Sequence, residues 1–196
     1  MEQGSTESLV RSARNGDGAA FKTIYERYYQ PVYRTAYRLL GERMGAEDIT
    51  QEVFIKIHRK LDSFDFNASF QTWCYRITVN TCYDIMRKQK RRGRYNKGSV
   101  EPDFYESKLQ SSKGSEPEDN LNRKVLTEII EDKLQAMHED LKTAFVLREF
   151  EQLSYSDIAN IMECSEGTVA SRLARARSQL TKYLTKIGID HSYFNQ

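Results

Sequence analysis

The sequence predicts an all-α protein with two small helical domains joined by a flexible linker, the C-terminal domain containing a helix-turn-helix. Apolar residues recur at spacings of three and four in several segments, and no segment shows sustained alternation of period two. The stretch 93–122 lacks this periodicity and contains two of the three prolines. Such a long structureless run is uncommon inside a compact domain. We therefore predict a first domain over 1–92, a linker over 93–122, a second domain over 123–187 and a tail over 188–196.

The first domain is predicted to contain three helices. An apolar stripe runs from Phe21 to Leu40, where Pro31 should kink or divide the helix and Gly41 should end it as a left-handed cap. A second amphipathic run covers Ala46–Leu61. The third begins at Ser69, a favourable N-cap, and ends in a basic segment at position 92.

The second domain is predicted to contain four shorter helices. Apolar positions mark one helix near Val125–Leu134 and another near Leu141–Phe150. Two more follow over Ser154–Met162 and Ser165–Leu184. Ser154 and Asp157 have the spacing of a capping box, which predicts where the first of this last pair begins.

The composition is that of an ordinary globular protein. Of 196 residues, 39% are hydrophobic and 30% are charged, and the net charge is +2. No apolar run reaches the roughly 18–20 residues that span a bilayer, and the N-terminus lacks a secretion signal. We therefore expect a cytoplasmic protein that is neither secreted nor inserted in a membrane. Cys74, Cys82 and Cys164 are expected to be reduced thiols packed as small apolar groups, with a redox switch as the alternative.

Charge is distributed unevenly along the chain. Residues 56–94 contain ten bases and three acids, a net charge of +7. Residues 101–119 contain six acids and two bases, a net charge of −4. The basic segment favours an anionic partner such as nucleic acid, and the alternative is a solubilising surface.

The segment Ser154–Leu180 has the pattern of a helix-turn-helix, with a tight turn between two helices and bases along the second. In that motif the second helix enters the major groove and presents its N-terminal side chains to base edges. The alternative is a helical hairpin with a solvated basic face. The predicted DNA-facing residues are Ser165, Glu166, Gly167, Thr168, Ser171, Arg172 and Arg175, and the predicted inward face is Ile158, Ala159, Val169, Leu173, Ala176 and Leu180.

The segments LSYSDIA at 153–159, GTVASRLARAR at 167–177 and AEDITQEVF at 46–54 resemble conserved segments of bacterial RNA polymerase sigma factors of the extracytoplasmic-function (ECF) type. Their promoter-recognition helix-turn-helix is similar to LSYSDIA at 153–159 and GTVASRLARAR at 167–177. Their first conserved domain is similar to AEDITQEVF at 46–54, FQTWCYRITVN at 70–80 and DIMR at 84–87. The three motifs occur in family order and cover most of the chain.

The resemblance implies a docking site for the polymerase β′ subunit on the Ala46–Leu61 helix. The matching positions are Asp48, Gln51, Glu52 and Phe54, which combine acceptors with an aromatic anchor. The alternative is an ordinary helix whose acids face water.

The resemblance also implies that the 62–70 loop and the helix after it read the −10 element. Extruding a base costs a few kcal/mol, and stacking on an aromatic ring returns roughly 1–3 kcal/mol. For each aromatic the alternative is core packing, which explains Phe64 and Phe66 less well because they lie in a loop. The candidates are Phe64, Phe66, Trp73 and Tyr75 for stacking, Asn67 and Asn80 for hydrogen bonding, and Arg76, Arg87 and Arg91 for the DNA backbone.

The implied function is promoter-specific initiation by a sigma factor bound to the β and β′ subunits of core RNA polymerase. The helix-turn-helix would read the −35 element, and the acidic linker would thread the polymerase cleft or act as a plain tether. An anti-sigma factor is a common partner in this family. We predict no catalytic residue, metal or cofactor, since the histidines lack suitable neighbours. The alternatives are a stand-alone helix-turn-helix regulator and a recombinase-like enzyme.

Overall fold

A computed structural model describes residues 2–41, 45–92, 118–187 and 189. These residues form helices and turns, with no strand among them. Most of the predicted linker, 93–117, and of the predicted tail lies outside this part of the chain. The helices are α1 (Glu2–Arg14), α2 (Gly18–Leu40), α3 (Ala46–Lys60), α4 (Phe70–Arg91), α5 (Glu118–Ala136), α6 (Glu139–Phe145), α7 (Tyr155–Met162) and α8 (Glu166–Lys186).

The first four helices form the N-terminal unit. Asp17 begins α2, since its carboxylate accepts hydrogen bonds from the N–H groups of Ala19 and Ala20. The predicted division at Pro31 does not occur, because α2 continues through it. Gly41 ends α2 with the expected positive φ of 80°, but its ψ of 166° lies outside the left-handed helical region. Helix α1 was not predicted.

The predicted cap of α4 is confirmed. The Ser69 hydroxyl accepts a hydrogen bond from the N–H of Thr72 at 3.0 Å. Between α3 and α4 the chain makes a 3₁₀ turn over Leu61–Ser63 and then an irregular segment. We call residues 62–69 the reading loop.

The last four helices form the C-terminal unit. Helix α5 begins at Glu118, inside the stretch that the sequence predicted as linker. After α6 the chain forms a π-helical turn over Val146–Phe150, which the periodicity did not predict. Ser154 caps α7 by accepting from the N–H of Asp157, as predicted.

Two apolar clusters form the core of the described chain. The smaller lies within the N-terminal unit and is rich in aromatic rings from the reading loop and α4. The larger includes buried residues of both units, among them Val79, Cys82 and Met86 of α4 and Leu147 and Ile158 of the C-terminal unit. The two predicted domains therefore pack together and share one hydrophobic cluster.

The interface between the units also contains polar contacts. Arg38 of α2 lies 3.7 Å from Glu151 and 3.6 Å from Glu131, and its guanidinium stacks 3.9 Å above the Phe150 ring. Further pairs across the interface are Thr72 Oγ1 to Asp157 Oδ1 (2.9 Å), Tyr75 to Glu151, Tyr83 to Thr143 (3.0 Å) and Gln135 Nε2 to the Arg38 carbonyl (2.7 Å).

Candidate nucleic-acid and polymerase interfaces

Helices α7 and α8 form the predicted helix-turn-helix. Glu163 ends α7 in the left-handed conformation, with φ 51° and ψ 48°, and α8 begins three residues later. This places a short turn between the helices, as the motif requires. All six residues predicted to face inward are buried: Ile158, Ala159, Val169, Leu173, Ala176 and Leu180.

The first turns of α8 present small polar groups to solvent. The Ser165 hydroxyl accepts from the Thr168 N–H at 3.2 Å, so this predicted DNA contact is also the helix cap. Ser171 is exposed and donates to the Thr168 carbonyl at 2.9 Å. Glu166 and Gly167 are exposed. The exposed N-terminus of a helix favours phosphate, because its first N–H groups have no partner within the helix.

The arginines of α8 differ in what they contact. The guanidinium of Arg172, predicted to contact DNA, lies 2.5 Å from Asp140 and 3.5 Å from the Cys164 sulfur. Its side chain is only 22% exposed. Arg177 binds Glu149, and this hydrogen bond raises the Arg177 pKa. Arg175 is exposed and makes no hydrogen bond or ion pair with the residues that the structure describes.

One exposed face of α4 carries the four polar residues of that helix that were predicted to contact −10 DNA. Arg76, Asn80, Arg87 and Arg91 follow one another at spacings of four, seven and four, which places them on one side of a helix. We call these four the α4 stripe. Arg87 also lies 3.6 Å from Asp84 on the same face. Another face of α4, with Val79, Cys82 and Met86, is buried in the larger apolar cluster that both units share.

Three of the four predicted stacking aromatics are buried, which favours core packing, the alternative given for each of them. Phe64 is 2% exposed, Trp73 7% and Tyr75 3%. Phe64 packs 5.1 Å from Trp73 and 5.6 Å from Phe70, ring centre to ring centre. Tyr75 lies at the interface, where its hydroxyl donates to Glu151 and burial raises its pKa.

Phe66 is the partly exposed aromatic of the four. Its backbone has φ +62°, a region that non-glycine residues seldom adopt. The next residue, Asn67, is exposed and donates to both carboxylate oxygens of Asp65, at 3.1 Å and 2.7 Å. The backbone hydrogen bond is the main cause of a lowered Asp65 pKa. The reading loop therefore has a defined turn with Asn67 on its surface.

The predicted polymerase-docking face of α3 needs one replacement. Asp48, Gln51 and Glu52 are exposed as expected, but Phe54 is buried against Tyr25 and cannot be the anchor. Ile55 is 52% exposed, a large apolar side chain in contact with water. It follows Asp48 by seven residues, so helical spacing alone could have identified it. We call Asp48, Gln51, Glu52 and Ile55 the α3 stripe.

The cysteines and histidines form no cluster suited to chemistry in the described residues. Burial raises the pKa of Cys74 and of Cys82 to about 12, and Cys164 is half-buried beside Arg172. No group of three His, Cys, Asp or Glu side chains in the described ranges could hold a metal ion. None of the described helices is long and apolar enough to cross a bilayer.

Comparison with known proteins gives matches over both units. Residues 24–92 match the family model for sigma-70 region 2, and residues 127–180 match that for sigma-70 region 4. The RNA polymerase sigma-H factor of Pseudomonas aeruginosa is 35% identical over 185 residues, which cover 94% of this chain and 96% of that protein. The ECF RNA polymerase sigma-E factor of Haemophilus influenzae is 38% identical over 181 residues, 91% of this chain and 95% of that protein.

Two solved structures share the fold. The sigma factor RpoE of Bartonella quintana, solved with the anti-sigma factor NepR, has a TM-score of 0.62 and 24% identity, covering 84% of this chain and 96% of that one. CnrH, solved with the cytosolic domain of CnrY, has a TM-score of 0.65 and 22% identity, covering 91% and 96%. The family models and the full-length relatives agree with the recognition motifs. The chain therefore belongs to the sigma-70 family, in its ECF group, and is a sigma factor that binds core RNA polymerase and directs promoter-specific initiation of transcription.

Proposed function

We propose a residue-level division of labour for this sigma factor. The N-terminal unit, up to Arg92, reads the −10 element and docks on core polymerase. The C-terminal unit, from Glu118, reads the −35 element as duplex DNA. The observation that carries this proposal is the α4 stripe, whose amide and three guanidinium groups share one exposed helix face.

On the α4 stripe, each side chain has a chemistry suited to opened DNA. Asn80 can donate to and accept from a base edge, while Arg76, Arg87 and Arg91 neutralise phosphates. A base extruded from the duplex needs a stacking partner, and the half-buried ring of Phe66 is the available aromatic in the reading loop. Phe64, Trp73 and Tyr75 then support the loop and α4 from within.

The first turns of α8 fit duplex recognition at the −35 element. Ser165, Thr168 and Ser171 carry short hydroxyls that bind phosphates, and Gly167 lets the backbone approach the DNA closely. Glu166 can accept from the amino group of cytosine, and Arg175 can donate two hydrogen bonds to guanine. Arg172 holds the motif together through Asp140.

The α3 stripe has the composition of a docking site for the β′ subunit. It places one exposed apolar side chain, Ile55, beside three polar side chains that can accept hydrogen bonds. An apolar anchor with a polar rim is the usual anatomy of a protein interface.

We further propose that this role is non-catalytic and cytoplasmic, because the chain acts by binding polymerase and promoter DNA. An anti-sigma factor is a proposed regulator, since the similar RpoE was solved in complex with one. A purified protein that binds the free chain one to one and lowers transcription by the holoenzyme would identify it.

The test of the −10 assignment is Asn80→Ala in reconstituted holoenzyme. We expect assembly with core polymerase and −35 duplex binding to be unchanged, because neither surface includes Asn80. Opening should fall, and permanganate reactivity of the −10 thymines measures it. Unchanged opening would remove the α4 stripe from −10 reading. Binding to a palindrome without polymerase would instead favour a stand-alone regulator.

A further inference from the structure

Helix α1 precedes the region-2 match, which begins at residue 24, yet it packs into the N-terminal unit. Val10 is fully buried in the smaller cluster, with Leu9 and Ala13 packed against it. The turn that follows is fixed, because the Asp17 N–H donates to the Ser12 carbonyl at 3.1 Å. Helix α1 is therefore held in one position relative to α2.

Two arginines of α1 contact the reading loop. The Arg14 guanidinium donates to the Asp62 carbonyl at 3.0 Å and to the Phe64 carbonyl at 3.2 Å. The Arg11 guanidinium lies 4.2 Å above the centre of the Phe66 ring. These contacts are 48 or more residues apart in sequence, so they fix the loop from outside it.

The conformation that they hold is one the loop would not adopt by itself. Phe66 has a positive φ, which is strained for a side chain with a Cβ and persists only where neighbours determine it. The Phe64 ring packs 4.7 Å from the Phe66 ring, and Arg11 lies over the same ring. Arg14 meanwhile fixes the backbone on the N-terminal side of the strained residue. The result is the turn that exposes Asn67.

We propose that Arg14 and Arg11 are positioning residues for −10 recognition: they hold the reading loop in the shape that receives an extruded base. This rests on the proposed −10 role of the loop. Helix α1 thus works as part of the −10 reader although it does not form part of the matched region. Arg14 acts mainly through two backbone carbonyls and lies 5.7 Å from the centre of the Phe66 ring, and Arg11 acts through that ring at 4.2 Å.

The test measures how well holoenzyme discriminates between two single-stranded −10 oligonucleotides, the cognate one and one with a single base changed. For Arg14→Ala we expect the ratio of the two dissociation constants to fall about tenfold. Arg14→Lys should be equally defective, because one ammonium cannot reproduce a planar fork that donates to two carbonyls. The matched control is Arg27→Ala, since Arg27 also contacts α1, through Thr6 at 2.9 Å, but not the loop.

A second arm protects the test against a simple loss of folding. Arg11→Ala should lower discrimination in the wild-type background and have no effect in a Phe66→Ala background, because the two side chains act as one unit. Normal discrimination by Arg14→Ala would overturn the positioning role. Full function of Arg14→Lys would also overturn it and would leave a simple charge effect. Holoenzyme that lacks discrimination even with the wild-type chain would instead refute −10 reading by the loop.

Discussion

Arg172 and Arg175 lie three residues apart on α8, yet they differ in their partners and in their exposure. Arg172 binds Asp140, whereas Arg175 is exposed. The spacing of basic residues along a helix identifies which of them share a face. It does not reveal an ion pair between residues that are 32 positions apart, such as Arg172 and Asp140. Of the two arginines predicted to contact DNA, we therefore propose Arg175 as the one that reads a base.

We expect Arg175→Ala to weaken binding of −35 duplex by about 1–3 kcal/mol, the usual contribution of an arginine that reads guanine. Arg172→Ala should instead lower the free energy of unfolding by about 1 kcal/mol, since both partners are partly exposed. Fluorescence anisotropy with labelled duplex and thermal unfolding measure the two effects. A reversed pattern, with Arg172→Ala stable but unable to bind, would restore Arg172 as the reader.

At the scale of an element, α3 has one face packed in the core and another that we propose as the docking face. We expect Ile55→Glu to reduce the affinity for core polymerase at least tenfold with little change in stability, because the Ile55 side chain is half exposed and belongs to neither apolar cluster. Phe54→Ala should lower the free energy of unfolding by about 3–5 kcal/mol, the cost of truncating a buried ring. Competition with a labelled sigma factor for core polymerase measures the first effect.

The control for α3 is Lys60→Glu, which introduces the same carboxylate at an exposed position rotated away from the α3 stripe. It should bind core polymerase like the wild type. Equal loss in both variants would show a general charge effect rather than a docking face.

Helices with a long apolar stripe, and with a capping residue next to their first turn, could be predicted from the sequence. The caps at Ser69 and Ser154, the inward face of the helix-turn-helix and the α4 stripe all depend on spacing within one helix. Helix α1 was missed because its apolar stripe is only three residues wide, and the reading loop was misjudged because its fold-back depends on distant rings. Because these ring contacts are not evident in the sequence, the loop position of Phe64 predicts a surface side chain, whereas the structure buries it in the core.

At the scale of the whole molecule, the arrangement of the two units depends on contacts that no local pattern encodes. Glu151 accepts from Tyr75 and lies 3.7 Å from Arg38, so it joins both units at a partly buried site. We expect Glu151→Ala to weaken the packing of the units by about 2–3 kcal/mol, because two polar groups lose a charged partner. The radius of gyration of the free protein, from solution scattering, should increase.

Glu149→Ala is the matched control. Glu149 pairs with Arg177 at 2.5 Å within the C-terminal unit and does not reach the N-terminal one. Its loss should leave the radius of gyration unchanged. A Glu151→Ala protein as compact as the wild type would show that apolar packing alone keeps the units together.

The larger apolar cluster draws on both units, and this has a genetic consequence. Leu147 and Ile158 belong to the same apolar cluster as Val79 and Met86, although the two pairs are encoded in different halves of the gene. Close-packed interiors transmit changes in side-chain volume. We therefore expect a destabilising mutation in the second half of the gene to disturb the packing of the N-terminal unit as well. Suppressor mutations should then be found in the first half of the gene.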